Sequence, residues 1–69
     1  IYTYNMNTEI KKIARTIVND VTEYYNIRHP NNTDKMKMKN ICNDLIDLHN
    51  NKKLNLFEYN DDMFYELFA

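Results

Sequence analysis

The fold of this chain is decided by the stretch TEIKKIARTIVNDVTEYYNI, residues 8–27. Its apolar side chains recur at steps of three and four, at Ile10, Ile13, Ile17, Val21 and Tyr24. This spacing places them on one face of an amphipathic helix. Pro30 then biases the residue before it away from helical backbone angles. We therefore predict a helix over residues 8–27 that ends before Pro30.

The same period returns after the proline and predicts a second helix over residues 33–50. Its apolar positions are Met38, Ile41, Cys42, Leu45 and Leu48. The linker between the two helices has only about four to six residues, which favours antiparallel neighbours. Both helices carry bases near their starts and acids further along. Antiparallel pairing would set Lys11, Lys12 and Arg15 beside Asp44 and Asp47, so the charges favour the same orientation.

The last sixteen residues allow two interpretations. A third helix near residues 56–68 would start at Asn55 or after Asn60, with Met63, Phe64, Leu67 and Phe68 facing inward. Alternatively, segments 54–59 and 63–68 could form a β-hairpin, giving a winged-helix-like outline. Because the chain has no glycine for a tight hairpin turn, we predict an all-α, three-helix domain. Residues 1–4 alternate weakly and are expected to form an extended arm.

Composition indicates one small domain over residues 1–69. The chain is 43% apolar and 28% charged, and its apolar runs fall short of the ~18–20 residues that span a bilayer. One cysteine, Cys42, cannot form an internal disulfide, which favours an intracellular protein, cytoplasmic or nuclear. The twelve asparagines are consistent with an AT-rich genome. Since the chain lacks an initiator Met, we expect it to be a fragment or module of a larger protein.

Candidate catalytic and metal sites are poorly supported by the residue spacing. Cys42 and His49 lie seven residues apart, which separates them by about 10 Å along a helix. Without glycine, a glycine-rich phosphate loop is excluded. We predict a protein that is not an enzyme and that needs neither a metal nor another cofactor.

Charge and aromatic content divide the chain into two parts. The first 53 residues hold nine bases and six acids, for a net charge of +3, whereas the last sixteen hold four acids and no base. The acidic part is rich in bulky side chains, which predicts a protein-interaction or self-association surface made of Tyr59, Met63, Phe64, Tyr65, Leu67 and Phe68.

The alternative function is nucleic-acid binding through the basic loop and the start of the second helix. The residues concerned are Arg28, Lys35, Lys37 and Lys39. A net charge of −1 and an isoelectric point near 6.1 argue against it, because such proteins are usually basic. The prediction is therefore a protein partner or a homo-oligomer, with no membrane.

Overall fold

The computed structural model describes residues 6–68, which form three α-helices and one short 3₁₀ turn. Helix α1 spans Met6–Tyr24, α2 spans Asn32–Asn50 and α3 spans Asp61–Phe68, and the 3₁₀ turn at Leu56–Glu58 precedes α3. The predicted all-α, three-helix class is confirmed. The hairpin alternative is wrong, since residues 6–68 contain no β-strand. The arm predicted for residues 1–4 lies outside the described residues.

Asparagine side chains explain why the C-terminal segment is helical. The side-chain oxygen of Asn60 accepts a hydrogen bond of 2.9 Å from the amide of Met63 at the start of α3. Asn55 accepts one of 3.1 Å from the amide of Phe57 in the same way. Such caps satisfy amides that have no partner within their own helix. The two starts considered for the third helix are both present: the 3₁₀ turn begins after Asn55, and α3 begins after Asn60. The helical backbone is interrupted between them at Tyr59 (φ −58°, ψ 132°).

Helix α1 ends three residues earlier than predicted, and the cause is Asn26 rather than Pro30. Asn26 adopts a left-handed conformation with φ of 56°. Its amide donates to the carbonyl of Glu23, and the amide of Ile27 donates to that of Thr22. These two bonds form a Schellman motif, in which glycine is the usual left-handed residue. Asparagine takes that position in a chain without glycine.

Helix α2 is closed at both ends by local hydrogen bonds. At its start, the Asn31 side chain accepts from the amide of Asp34, whose carboxylate accepts from the Asn31 amide in return. At its end, Lys52 takes the left-handed conformation, with φ of 59°. Asparagine is the residue that adopts this conformation most readily after glycine, and two asparagines, Asn50 and Asn51, stand just before Lys52. Because the helix runs through Asn50 and Asn51 keeps a φ of −88°, the left-handed position falls one residue later.

The core lies along α1, which packs antiparallel to α2 as predicted and also contacts the 3₁₀ turn. Ala14 and Ile17 are fully buried at its centre, and Leu56 of the 3₁₀ turn is 1% exposed. Ile10, near the start of α1, belongs to the same apolar cluster as Leu45, near the end of α2. Helix α3 is short, and the residue that it buries in the core is Phe64, which is 7% exposed.

The charges do not pair across the helices as the sequence suggested. Within residues 6–68, the ion pair present joins Lys12 to Glu9 along α1, at 4.0 Å. Lys11 and Arg15 are exposed, as are Asp44 and Asp47. An exposed pair gains about 0–1 kcal/mol and loses side-chain entropy, so apolar packing is enough to orient the helices without these contacts.

Candidate partner-binding surfaces

The six side chains predicted to bind a partner divide between the core and the surface. Phe64 is buried, with its ring 5.4 Å from that of Tyr24 and 5.3 Å from that of Phe68. Phe68, Tyr59 and Met63 are half-buried, and Phe68 and Tyr59 pack against the core cluster. These four side chains therefore help to cover the two long helices.

The two remaining predicted residues, Tyr65 and Leu67, are exposed by 57% and 39%. Leu67 was expected to face inward. Residues two positions apart in a helix are separated by about 200° around its axis. Tyr65 and Leu67 therefore lie on opposite sides of the buried Phe64. The predicted set therefore does not form one continuous surface.

Tyr65 instead joins two tyrosines at the end of α1 in what we call the aromatic patch: Tyr24, Tyr25 and Tyr65. Tyr24 lies edge-on to Tyr25 at 5.0 Å and edge-on to Tyr65 at 6.4 Å, measured between ring centroids. The rings are 51%, 54% and 57% exposed, respectively. Phe64 supports the patch from below, 5.7 Å from Tyr65. A hydrogen bond of 2.8 Å from the Tyr25 hydroxyl to the carbonyl of Phe68 ties α3 to α1.

Tyr24 and Tyr25 were not among the predicted site residues, although the sequence contained a signal for them. Adjacent residues on a helix point about 100° apart, so two neighbouring tyrosines cannot both face the centre of the core. At least one of the two rings therefore had to lie toward solvent, next to the segment that packs against the end of α1, which is α3 in the structure.

Carboxylates surround the C-terminal aromatics without bases to neutralise them. Glu58, Asp61, Asp62 and Glu66 are exposed, and none of them forms an ion pair within the described part of the chain. Asp61 and Asp62 precede Tyr65 by four and three residues, so helical spacing places both on its side of α3. We call Asp61, Asp62 and Tyr65 the acidic face of α3.

A second surface, the basic groove, runs between α1 and α2 and has a volume of about 540 Å³. Its floor is apolar and is formed by Val18, Met38, Cys42 and Ile46. Its rim carries three exposed cations and no carboxylate, the cations being Lys11, Arg15 and Lys39. This groove combines apolar area with unneutralised positive charge.

The four residues proposed for nucleic-acid binding are all exposed but do not share one face. Lys35 and Lys39 lie four residues apart on one side of α2, whereas Lys37 lies about 200° around the helix from Lys35. Arg28, in the loop, donates a hydrogen bond of 3.1 Å from Nε to the side chain of Asn26. Of the four, Lys39 lines the basic groove.

His49 has a structural role in this fold. Its Nδ1 accepts a hydrogen bond of 3.0 Å from the amide of the buried Leu56, and its ring lies edge-on to Phe57 at 5.4 Å. Cys42 is a half-buried free thiol. Among residues 6–68, no three His, Cys, Asp or Glu side chains come together in a way that could hold a metal ion.

None of the helices in the described part of the chain combines the length and apolar character needed to cross a bilayer. Comparison of the chain with protein-family models, with curated proteins and with solved structures found no match.

Proposed function

We propose that this chain is a non-catalytic interaction module that binds a protein partner through the aromatic patch. The observation that supports this most directly is the group of three neighbouring tyrosine rings, each more than half exposed. A domain of 69 residues has little apolar area to bury, so large rings left together at its surface are costly unless something covers them. A partner surface would supply that cover.

The packing of the tyrosine rings on one another and on Phe64 favours a role of the patch in binding. Tyrosine offers a large contact area with few rotatable bonds, and it is enriched at interface hot spots. Here the rings contact one another edge-on and rest on the buried Phe64. Rings held in place beforehand lose less conformational entropy when a partner binds.

The neighbouring carboxylates define the chemistry of the partner. Glu58, Asp61, Asp62 and Glu66 would favour a partner whose surface is apolar at its centre and basic at its edge. An intracellular site of action, cytoplasmic or nuclear, is part of the same proposal. It is supported by the free thiol of Cys42, since small secreted domains usually rely on disulfides.

Site-specific photo-crosslinking tests the proposal on the whole chain. A benzoylphenylalanine placed at Tyr65 should form a discrete protein adduct, which a Tyr24→Ser substitution in the same chain should remove. The same probe at Met36, which is 65% exposed on α2, is the matched control and should form no such adduct. Identical crosslinking from both positions would contradict the proposal, provided that circular dichroism shows folded variants.

Nucleic-acid binding through Arg28, Lys35, Lys37 and Lys39 has weaker support. These cations point in different directions, and of the four only Lys39 lines the basic groove. Salt-dependent binding of an oligonucleotide that is lost on Lys35/Lys37/Lys39→Glu would favour this alternative.

A further inference from the structure

We propose that the basic groove binds the acidic face of α3 in a second copy of this chain, so that copies associate head to tail. This inference rests on the proposed function, because it names the partner of Tyr65, the residue that the aromatic patch and the acidic face share. The groove and the acidic face share no residue, so one copy can use both surfaces at once.

The chemistry of the groove indicates what kind of ligand it fits. Val18, Met38, Cys42 and Ile46 supply an apolar floor, and Met38 and Cys42 are only half-buried. Methionine adapts its shape to an incoming side chain and is common at binding surfaces. Lys11, Arg15 and Lys39 stand around this floor with no carboxylate among the lining residues. The matching ligand is a segment with an apolar or aromatic centre and flanking carboxylates.

The acidic face of α3 has that composition. Tyr65 is 57% exposed, and Asp61 and Asp62 lie one helical turn before it on the same side. In the proposed contact, the Tyr65 ring lies on the groove floor while the two carboxylates approach Arg15 and Lys39. Both sets of charges lack an ion-pair partner within the described residues of one copy. Association would place the groove cations of one copy beside the carboxylates of the other, so that each set neutralises the other.

The surfaces that meet are different, so the contact is heterologous. Such a contact makes a ring when the rotation between copies closes, and an open chain of copies when it does not. Because opposite charges hold the copies together, association should weaken as salt is raised.

Charge-reversing substitutions test this arrangement, with association measured by analytical ultracentrifugation. The groove variant is Arg15→Glu/Lys39→Glu, the face variant is Asp61→Lys/Asp62→Lys, and the control is Lys37→Glu/Lys53→Glu, whose residues do not line the groove. Wild type should show a sedimentation coefficient that rises with concentration. Each variant alone should raise the dissociation constant by about tenfold or more, since like charges then meet. The control should behave as wild type.

Mixing provides the decisive measurement. A groove variant keeps its acidic face and a face variant keeps its basic groove, so an equimolar mixture restores opposite charges at every contact. The mixture should therefore associate at concentrations where neither component does so alone. Helical circular dichroism of each variant shows whether α3 tolerates the lysines; Asp61→Asn/Asp62→Asn, which removes the charges without reversing them, should weaken association less.

Other outcomes overturn the inference. Wild type that remains a monomer at all concentrations would do so, as would folded variants whose mixture fails to associate. Oligonucleotide binding by a monomeric wild type that is lost in the groove variant would assign the groove to nucleic acid instead. If the chain is monomeric while Tyr65 still crosslinks to a different protein, the self-association fails and the proposed function stands.

Discussion

The phenolic hydroxyl of Tyr59 donates a hydrogen bond of 3.0 Å to Oδ2 of Asp20. This bond joins the break between the 3₁₀ turn and α3 to the C-terminal part of α1. Burial of the phenol, followed by the hydrogen bond and the negative charge of Asp20, raises the pKa of Tyr59 well above its ordinary value. The contact thus anchors the segment from which α3 departs.

Removal of the Tyr59 hydroxyl should weaken this anchor. Tyr59→Phe keeps the ring, so the expected loss is that of one hydrogen bond to a carboxylate, about 1–2 kcal/mol of unfolding free energy. Urea denaturation monitored by circular dichroism measures it. Tyr65→Phe is the matched control, because Tyr65 is exposed and its hydroxyl has no hydrogen bond within the described residues; it should leave stability unchanged. Equal effects of the two variants would contradict the assignment.

Alkaline pH should destabilise the protein through the same residue. With a pKa raised in the folded state, Tyr59 keeps its proton after an unfolded tyrosine, with a pKa of about 10, has lost its own. The stabilisation is therefore complete below about pH 10 and is lost as pH rises above that value. Urea denaturation from pH 8 to 11 should show a steeper decline for wild type than for Tyr59→Phe. Parallel curves would argue against a raised pKa.

His49 should stabilise the fold through its accepting nitrogen. His49→Leu would leave the amide of the buried Leu56 without a partner, at a cost of about 1–3 kcal/mol. His49→Asn should recover part of this loss, since its side-chain oxygen also accepts a hydrogen bond. His29→Leu, at an exposed loop position, is the control and should change little. Thermal denaturation compares them, and a His49→Leu protein as stable as wild type would remove the role assigned to this bond.

Lys52 is a site where a substitution should increase stability. A side chain in the left-handed region costs about 1–2 kcal/mol relative to glycine, which is partly offset by the greater freedom of glycine in the unfolded chain. Lys52→Gly should therefore raise the unfolding free energy by about 0.5–1 kcal/mol. Lys53→Gly, at the next position, where φ is not positive, should give no gain. Urea midpoints decide between the two outcomes, and destabilisation by Lys52→Gly would refute the prediction.

Local signals were sufficient to predict the two long helices of this chain. The three-and-four spacing of apolar residues in α1 and α2 depends only on the period of the helix, so it can be read without knowing the neighbours. The end of α1 at a left-handed Asn26 was not predicted, because residue 26 lay inside the predicted helix 8–27. Helix α2 ends at Asn50 as predicted, but the left-handed position at Lys52 was not predicted, because lysine rarely adopts that conformation.

The candidate binding surfaces could be predicted only in part. Composition identified the C-terminal segment as aromatic and acidic, but Phe64 and Tyr65 are neighbours with opposite exposures. Tyr24 contacts both rings, and only the packed structure shows that Phe64 is the one covered. The basic groove was not predicted, since its two walls come from segments about twenty to thirty residues apart in the chain.

The sequence by itself determined that this protein is helical, where its long helices lie and that its charges separate toward the two ends of the chain. Apolar period, asparagine caps and charge counts are local properties, so they persist whatever the chain packs against. Only the tertiary structure decided that Tyr24, Tyr25 and Tyr65 form one exposed patch and that Lys11, Arg15 and Lys39 surround one groove. Those groupings depend on which helix faces meet, and that is settled by packing among residues distant in the sequence.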